Sequence, residues 1–445
     1  MTIDLKLIDA RMLTDRGILE GGIAIDEGRI VRIAKTPNLP DSDSVIKLDG
    51  KLALPGLIDA HVHLRDLELS YKEDFTTGTT AAAAGGFTTV LDMPNSKPPT
   101  DSPNRLREKM DVAANRILVN TGFYGIIPSH GYEKMAQEGA AAFKIFLNRS
   151  TPALDVKDDL SLSAALRECA KANRPIAVHA EEHSLIERAK QRLKLGPHTP
   201  EDFLKVYGGE AETASVARML SIARDLSARI HFCHVSEPGS LTSIQKAVSA
   251  GRKITSEVTP HHLFLTKDVI RKLGGKAVMD PPPSTETGAS ALWRSLRDGR
   301  IDIVVSDHAP HTLEEKEKTD IFEVAMGIPG LETTLPLMLT RLNLGEISLE
   351  RIVSCLSRRP AEIFRLTRKG RLEAGFDADI TIIDLKKRHR IDSSAFRSKA
   401  KYSPFDGVAV TGAAAKTIVN GEVVMDEGEI QAKPGMGRVV RVEQL

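Results

Sequence analysis

The stretch LPGLIDAHVHLRD, residues 54–66, places two histidines two residues apart and an arginine two residues further on. In an extended strand, residues i and i+2 share a face about 7 Å apart. His61, His63 and Arg65 are therefore expected on one face. Two imidazoles converging on one point suit zinc and related borderline metals, although an isolated His-x-His is also compatible with two ordinary hydrogen-bonded histidines. His179 in PIAVHAEEH and His234 in IHFCHVSEPG add two more nitrogens. Each alone reads as a core histidine. Together with His61 and His63 they make four imidazoles, enough for two metal ions if another group bridges them. His183 lies past its strand end, and His231 lacks the end placement of His234, so both fit the set less well.

Lys144 stands inside the apolar run AAFKIFL. Burying its ammonium is costly, so it must pair with a carboxylate, snorkel or lose its charge. A neutral amine can take up carbon dioxide, and the resulting carbamate has two oxygens able to bridge two metals. Asp307 in VVSDHAPH can serve as metal ligand and general base together. A strand-end aspartate can equally be a helix cap.

Such residues need elements that carry them to one place. Eight short apolar runs alternate with amphipathic stretches: 56–64, 88–94, 118–125, 141–147, 175–180, 229–235, 253–260 and 302–310. Eight such βα units predict a TIM (β/α)8 barrel, whose active site lies at the C-terminal ends of the strands. His61, His63, Asn95, His179, His234 and Asp307 all fall at or just beyond such ends, with Lys144 inside the fourth run. Both termini read differently, as short strands with glycine turns, including an Asn420–Gly421 hairpin signal. Residues 1–54 and 366–445 are therefore expected to form a small β-sandwich domain, and residues 55–365 the barrel.

The chain has 445 residues, 61 basic and 60 acidic, for a net charge of +1. That balance points away from nucleic-acid and membrane surfaces. The three cysteines show no paired spacing, and the N-terminus has no secretory pattern, so a cytoplasmic protein acting on a small molecule is expected.

Longer blocks carry a resemblance. PGLIDAHVHLRD, KEDFTTGTTAAAAGGFTTVLDMPNSKP, EVTPHHLFLT, SDHAPHTLEEKE and GIPGLETTLPLML resemble the dihydroorotase family of the amidohydrolase superfamily, over nearly the whole chain. The resemblance implies two zinc ions per subunit, bridged by carboxylated Lys144 and a hydroxide. It implies His61, His63, Lys144, His179, His234 and Asp307 as ligands, with Asp307 also catalytic. The implied reaction is reversible cyclisation of N-carbamoyl-L-aspartate to (S)-dihydroorotate, in pyrimidine biosynthesis. Arg65, Asn95 and His311 resemble the residues that hold the substrate carboxylate, which an arginine can grip with two parallel bonds. The family is often homo-oligomeric, and some members associate with aspartate transcarbamoylase.

The chain departs from the family at MDPPPSTETG, where Asp280 replaces an asparagine that contacts the substrate ring, and at Asp66, where the family has glutamate. Rival readings are a hydantoinase or allantoinase sharing the metal cage, and a non-catalytic scaffold. Arg65 disfavours the first and the filled ligand set the second. HTLEEKEK reads as a solvated segment or lid, His261–His262 as structural, and Gly85–Gly86 as a helix end with a tight turn.

Overall fold

The computed structural model describes residues 2–14, 17–151 and 153–442. Eight parallel strands lie where the apolar runs are: Leu57–Val62, Phe87–Asp92, Asn120–Phe123, Phe143–Phe146, Ile176–His179, Ile230–Phe232, Ile254–Val258 and Ile303–Val304. They are buried on both faces, as parallel strands covered by crossover helices must be. The first three form one ladder. The fourth to eighth form another, which also takes in Gly125–Ile126. Backbone bonds join the two arcs at both seams. The His63 amide donates to the His308 carbonyl at 2.8 Å, and the Ala141 amide to the Phe123 carbonyl at 2.8 Å. The result is a (β/α)8 barrel.

Among the described residues, nine further strands from both ends of the chain form one sheet. Ile3–Thr14 pairs with Leu52–Pro55, which pairs with Ile380–Arg390, so N- and C-terminal segments interleave. Asn420 and Gly421, both at positive φ, make the two-residue turn between Ala409–Val419 and Glu422–Asp426. This sheet forms the small β-sandwich beside the barrel. Val439–Val440 leaves it and pairs with the third barrel strand.

Polar side chains join the two units. The buried Asp379 carboxylate accepts from Asn120 Nδ2, from the Asn420 amide at 2.9 Å and from Lys369 Nζ at 2.5 Å. The helix Phe75–Ala84 begins with an Asp74–Thr77 capping box and ends at Gly85. A Cβ at Gly85 would approach the Leu331 carbonyl oxygen to 2.2 Å, and Gly86 turns the chain at φ +88°, as the Gly85–Gly86 pair suggested. No helix among the described residues is long and apolar enough to cross a membrane.

Candidate active site

The barrel strands deliver their groups at or just beyond their C-terminal ends, with Lys144 inside the fourth. His61 lies in the first strand and His179 ends the fifth. His63, His234 and Asp307 lie beyond their strands, the latter two at φ 32° and 44°. Such left-handed backbone costs a non-glycine residue about 1–3 kcal/mol and gathers at functional sites. The expected extension of the strand alternation to Arg65 does not hold. The strand ends at Val62, and Arg65, Asp66 and Leu67 have φ of 58°, 47° and 51°. The cause is Asp66. Its carboxylate accepts from the amides of Leu67 (2.5 Å) and Phe75 (2.8 Å) and pairs with Arg116 at 3.1 Å. This folds the loop back onto the helix Phe75–Ala84.

These departures converge on one cavity of about 300 Å³. His61, His63, Arg65, Asn95, Lys144, His179, Asp280, His234, Asp307 and His311, the ten candidate metal and substrate residues, all line it. Burial drives His61, His63 and His234 below the ordinary imidazole range, and His179 to about 4. All four are neutral at neutral pH, the state a metal ligand requires.

Their tautomers follow from the partners of the other ring nitrogen. His61 Nδ1 donates to Glu257 Oε1 at 2.5 Å, and His63 Nδ1 to Asn95 Oδ1 at 2.7 Å. Each Nε2 then keeps its lone pair, and both face Asp307 Oδ1, at 3.3 Å and 3.1 Å. On the other side, His179 Nε2 lies 2.8 Å from Glu181 Oε2, and His179 Nδ1 lies 3.1 Å from His234 Nε2. The lone pairs of His61 and His63 facing Asp307 repel its carboxylate unless a cation lies between them, and His61, His234 and Asp307 offer three ligand atoms within 4.8 Å of one another. The donor set therefore fits bound metal. Lys144, fully buried, has Cys233 Sγ at 3.0 Å and the Phe146 ring at 5.2 Å as neighbours.

Glu257 was not singled out from the sequence, although a glutamate inside the strand KITSEV is a costly residue to bury. Burial opposes its charge, but His61 and His231 beside it hold its carboxyl far below the usual range. It also accepts from His231 Nε2 (2.9 Å) and the His234 amide (3.1 Å), so one carboxylate orients two neighbouring strand ends. Glu181, Asn148 and Arg149 were missed as well. Asn148 Nδ2 donates to Asp280 Oδ2 at 3.1 Å, and the Arg149 guanidinium stacks 4.4 Å over Phe146. Burial and the Glu181 carboxyl raise Asp280 well above the carboxylate range, and burial raises Glu181 to about 7. Asp280 thus faces the cavity with a carboxyl that holds a proton more readily than a free aspartate does. Its Oδ1 has no hydrogen-bond partner among the described residues.

The segment expected to be solvated, HTLEEKEK, is anchored instead. Its short helix Leu313–Lys316 buries Lys316, whose Nζ donates to the carbonyls of Val278, Ala325 and Gly327 at 2.7–2.9 Å. An ammonium has three N–H donors, and three carbonyls meet them. His262 is structural, bonded to Thr259 Oγ1 and the Pro281 carbonyl.

The amidohydrolase family model matches residues 52–424. A dihydroorotase of Methanothermobacter thermautotrophicus is 38% identical, covering 99% of this chain and 98% of its own. The chain belongs to the amidohydrolase family. Another relative in the family is an L-hydantoinase of Paenarthrobacter aurescens, 34% identical over 98% of both chains. Among solved structures, the L-hydantoinase (dihydropyrimidinase) from Arthrobacter aurescens superposes with a TM-score of 0.93. It is 33% identical and covers 99% of this chain and all of its own. The barrel and its cavity are thus those of an amidohydrolase enzyme.

Proposed function

We propose that this amidohydrolase is a metal-dependent cyclic amide hydrolase that interconverts N-carbamoyl-L-aspartate and (S)-dihydroorotate. The observation that carries this reading is Arg65. Its buried guanidinium lines the same cavity as the imidazole cluster, with Nη2 3.1 Å from His311 Nε2 and Nε bonded to the Pro310 carbonyl at 3.3 Å. A cation of that planar shape suits a ring carboxylate, which dihydroorotate has and a simple hydantoin lacks. The 38% identity to the Methanothermobacter thermautotrophicus dihydroorotase supports the same choice.

His61, His63 and Asp307 would hold one zinc ion and His179 and His234 a second, with a carbamate on Lys144 reaching both. Bound zinc supplies Lewis-acid polarisation of the ring carbonyl and acidifies water to a pKa near ~7. Glu257 and Asn95 hold His61 and His63 with their lone pairs inward. Arg65 and the Asn95 amide orient the substrate carboxylate, and Asp280, its carboxyl raised by burial, faces the ring edge. Asp307 accepts the proton released by water as the carbonyl carbon gains oxygen and delivers it to the departing ring nitrogen as the C–N bond breaks. In the synthetic direction the same carboxylate protonates the departing water oxygen.

The direct test is turnover by purified, zinc-loaded protein of dihydroorotate, hydantoin and allantoin. Ring opening of dihydroorotate is the expected outcome. Activity confined to hydantoin or allantoin would replace this reading with the reading suggested by the L-hydantoinase relative.

A further inference from the structure

On the Arg65 side of the cavity, one contact determines which nitrogen of His311 carries the proton. Lys72 Nζ lies 3.1 Å from His311 Nδ1 and 2.7 Å from Glu315 Oε1. An ammonium donates and never accepts, so Nδ1 must offer its lone pair. Burial, aided by Arg65 and Lys72, holds the His311 imidazolium far below its ordinary range, so the ring is neutral. A neutral imidazole has one N–H, which must then be on Nε2. That nitrogen lies 3.0 Å from the Met326 carbonyl, a suitable acceptor, and 3.1 Å from Arg65 Nη2, which is itself a donor. Two donors at that separation do not bond each other. They are placed to share an acceptor.

We infer that Lys72 is a positioning residue that fixes His311 as its Nε2–H tautomer, so that His311 and Arg65 present paired donors to one substrate carboxylate. The inference rests on the proposed reading that this cavity takes a carboxylate-bearing ring. Without Lys72, the His311 proton has an alternative. Glu315 Oε2 lies 3.5 Å from Nδ1 and would attract an Nδ1–H. The Nε2 lone pair would then face the substrate carboxylate and repel it. Glu315 also balances the Lys72 charge and accepts from the Tyr71 hydroxyl at 3.2 Å. Lys72 therefore sets a proton position without adding a second bare cation to the pocket. Its side chain is 12% exposed, so little water competes for the contact.

The test uses zinc-loaded protein labelled with ¹⁵N in its histidines. Two-bond proton–nitrogen correlations identify the protonated nitrogen, with His311 assigned by the signals lost in His311→Gln. Wild-type His311 is expected to carry its proton on Nε2. In Lys72→Met the proton moves toward Nδ1, KM for dihydroorotate rises about 10–100-fold and kcat stays within about threefold. Lys72→Arg, which can still donate to Nδ1, restores both signals. An Nδ1–H tautomer in the wild type, or a Lys72→Met spectrum identical to it, would overturn the inference. A wild type that fails to turn over dihydroorotate overturns the substrate reading instead, and the tautomer spectrum still decides the role of Lys72.

Discussion

Asp307 and Glu257 are both carboxylates beside His61, yet their surroundings give them different work. Asp307 is 13% exposed, with one oxygen toward His61 and His63, which leaves the other free to exchange a proton with substrate. Glu257 is fully buried with both oxygens occupied by histidines. Asp307→Asn should therefore lower kcat by about 10²–10⁴-fold, the usual range for losing a positioned proton carrier, and steady-state rates measured at saturating metal would show it. Glu257→Gln should act on metal instead. Removing the acceptor that orients a ligating histidine costs about 10–100-fold in metal affinity. Zinc competition with a chelator reads this directly; unchanged affinity would place Glu257 outside the metal's support. The histidines and Asp307 were legible in the sequence because each stands at the end of an apolar run, where a polar residue has no packing reason to be. Arg149 and Glu181 had no such signal, since only the folded loops bring them to the cavity.

At the scale of elements, the strand runs were legible because strands buried on both faces read as continuous apolar segments. Loop courses were not. Arg65 reaches the cavity through a left-handed turn fixed by Asp66, and the contacts of Asp66 with Phe75 and Arg116 involve residues 9 and 50 positions away. Lys316 gives the same lesson. Within HTLEEKEK it looks like any surface lysine, but it ties the loop after the seventh strand to the loop after the eighth through Val278 and Gly327. Gly327 lines the cavity. Lys316→Met removes one donor from each of three carbonyls, of which Val278 still accepts from the Gly327 amide and Gly327 from the Tyr402 hydroxyl, so each lost bond costs roughly 0.5–1.5 kcal/mol. Faster amide hydrogen exchange across 312–327, with a raised KM, is the expected outcome. Exchange at the wild-type rate would show that the helix is held by other contacts.

For the whole molecule, the terminal sheet and the barrel are welded at Asp379, which bonds Asn120 of the third barrel strand, the Asn420 turn and Lys369. Lys369 and Asp379 are 6% and 5% exposed. Removing Asp379 leaves Lys369 its second partner, Asp377 at 3.1 Å, but takes the acceptor from the buried Asn120 side chain and the Asn420 amide, at about 1–3 kcal/mol for each unmet group. Asp379→Ala should destabilise the protein by that amount in denaturant unfolding, whereas a loss under 1 kcal/mol would mean that the units are coupled elsewhere. The β-rich termini were legible from their turn residues, but the pairing of Leu52–Pro55 with both ends of the chain was not, because register between distant strands leaves no local trace.

An amidohydrolase cavity fitted to a ring bearing a carboxylate must distinguish rings by that group. The most direct measurement compares kcat/KM for dihydroorotate with that for dihydrouracil, the same ring without its carboxylate, in the wild type and in Arg65→Ala. Loss of a buried charge-assisted pair corresponds to a factor of about 100. The wild type should prefer dihydroorotate by at least about that factor, and Arg65→Ala should erase the preference while retaining its zinc. Equal or faster turnover of dihydrouracil by the wild type, or a preference that survives in Arg65→Ala, would contradict it.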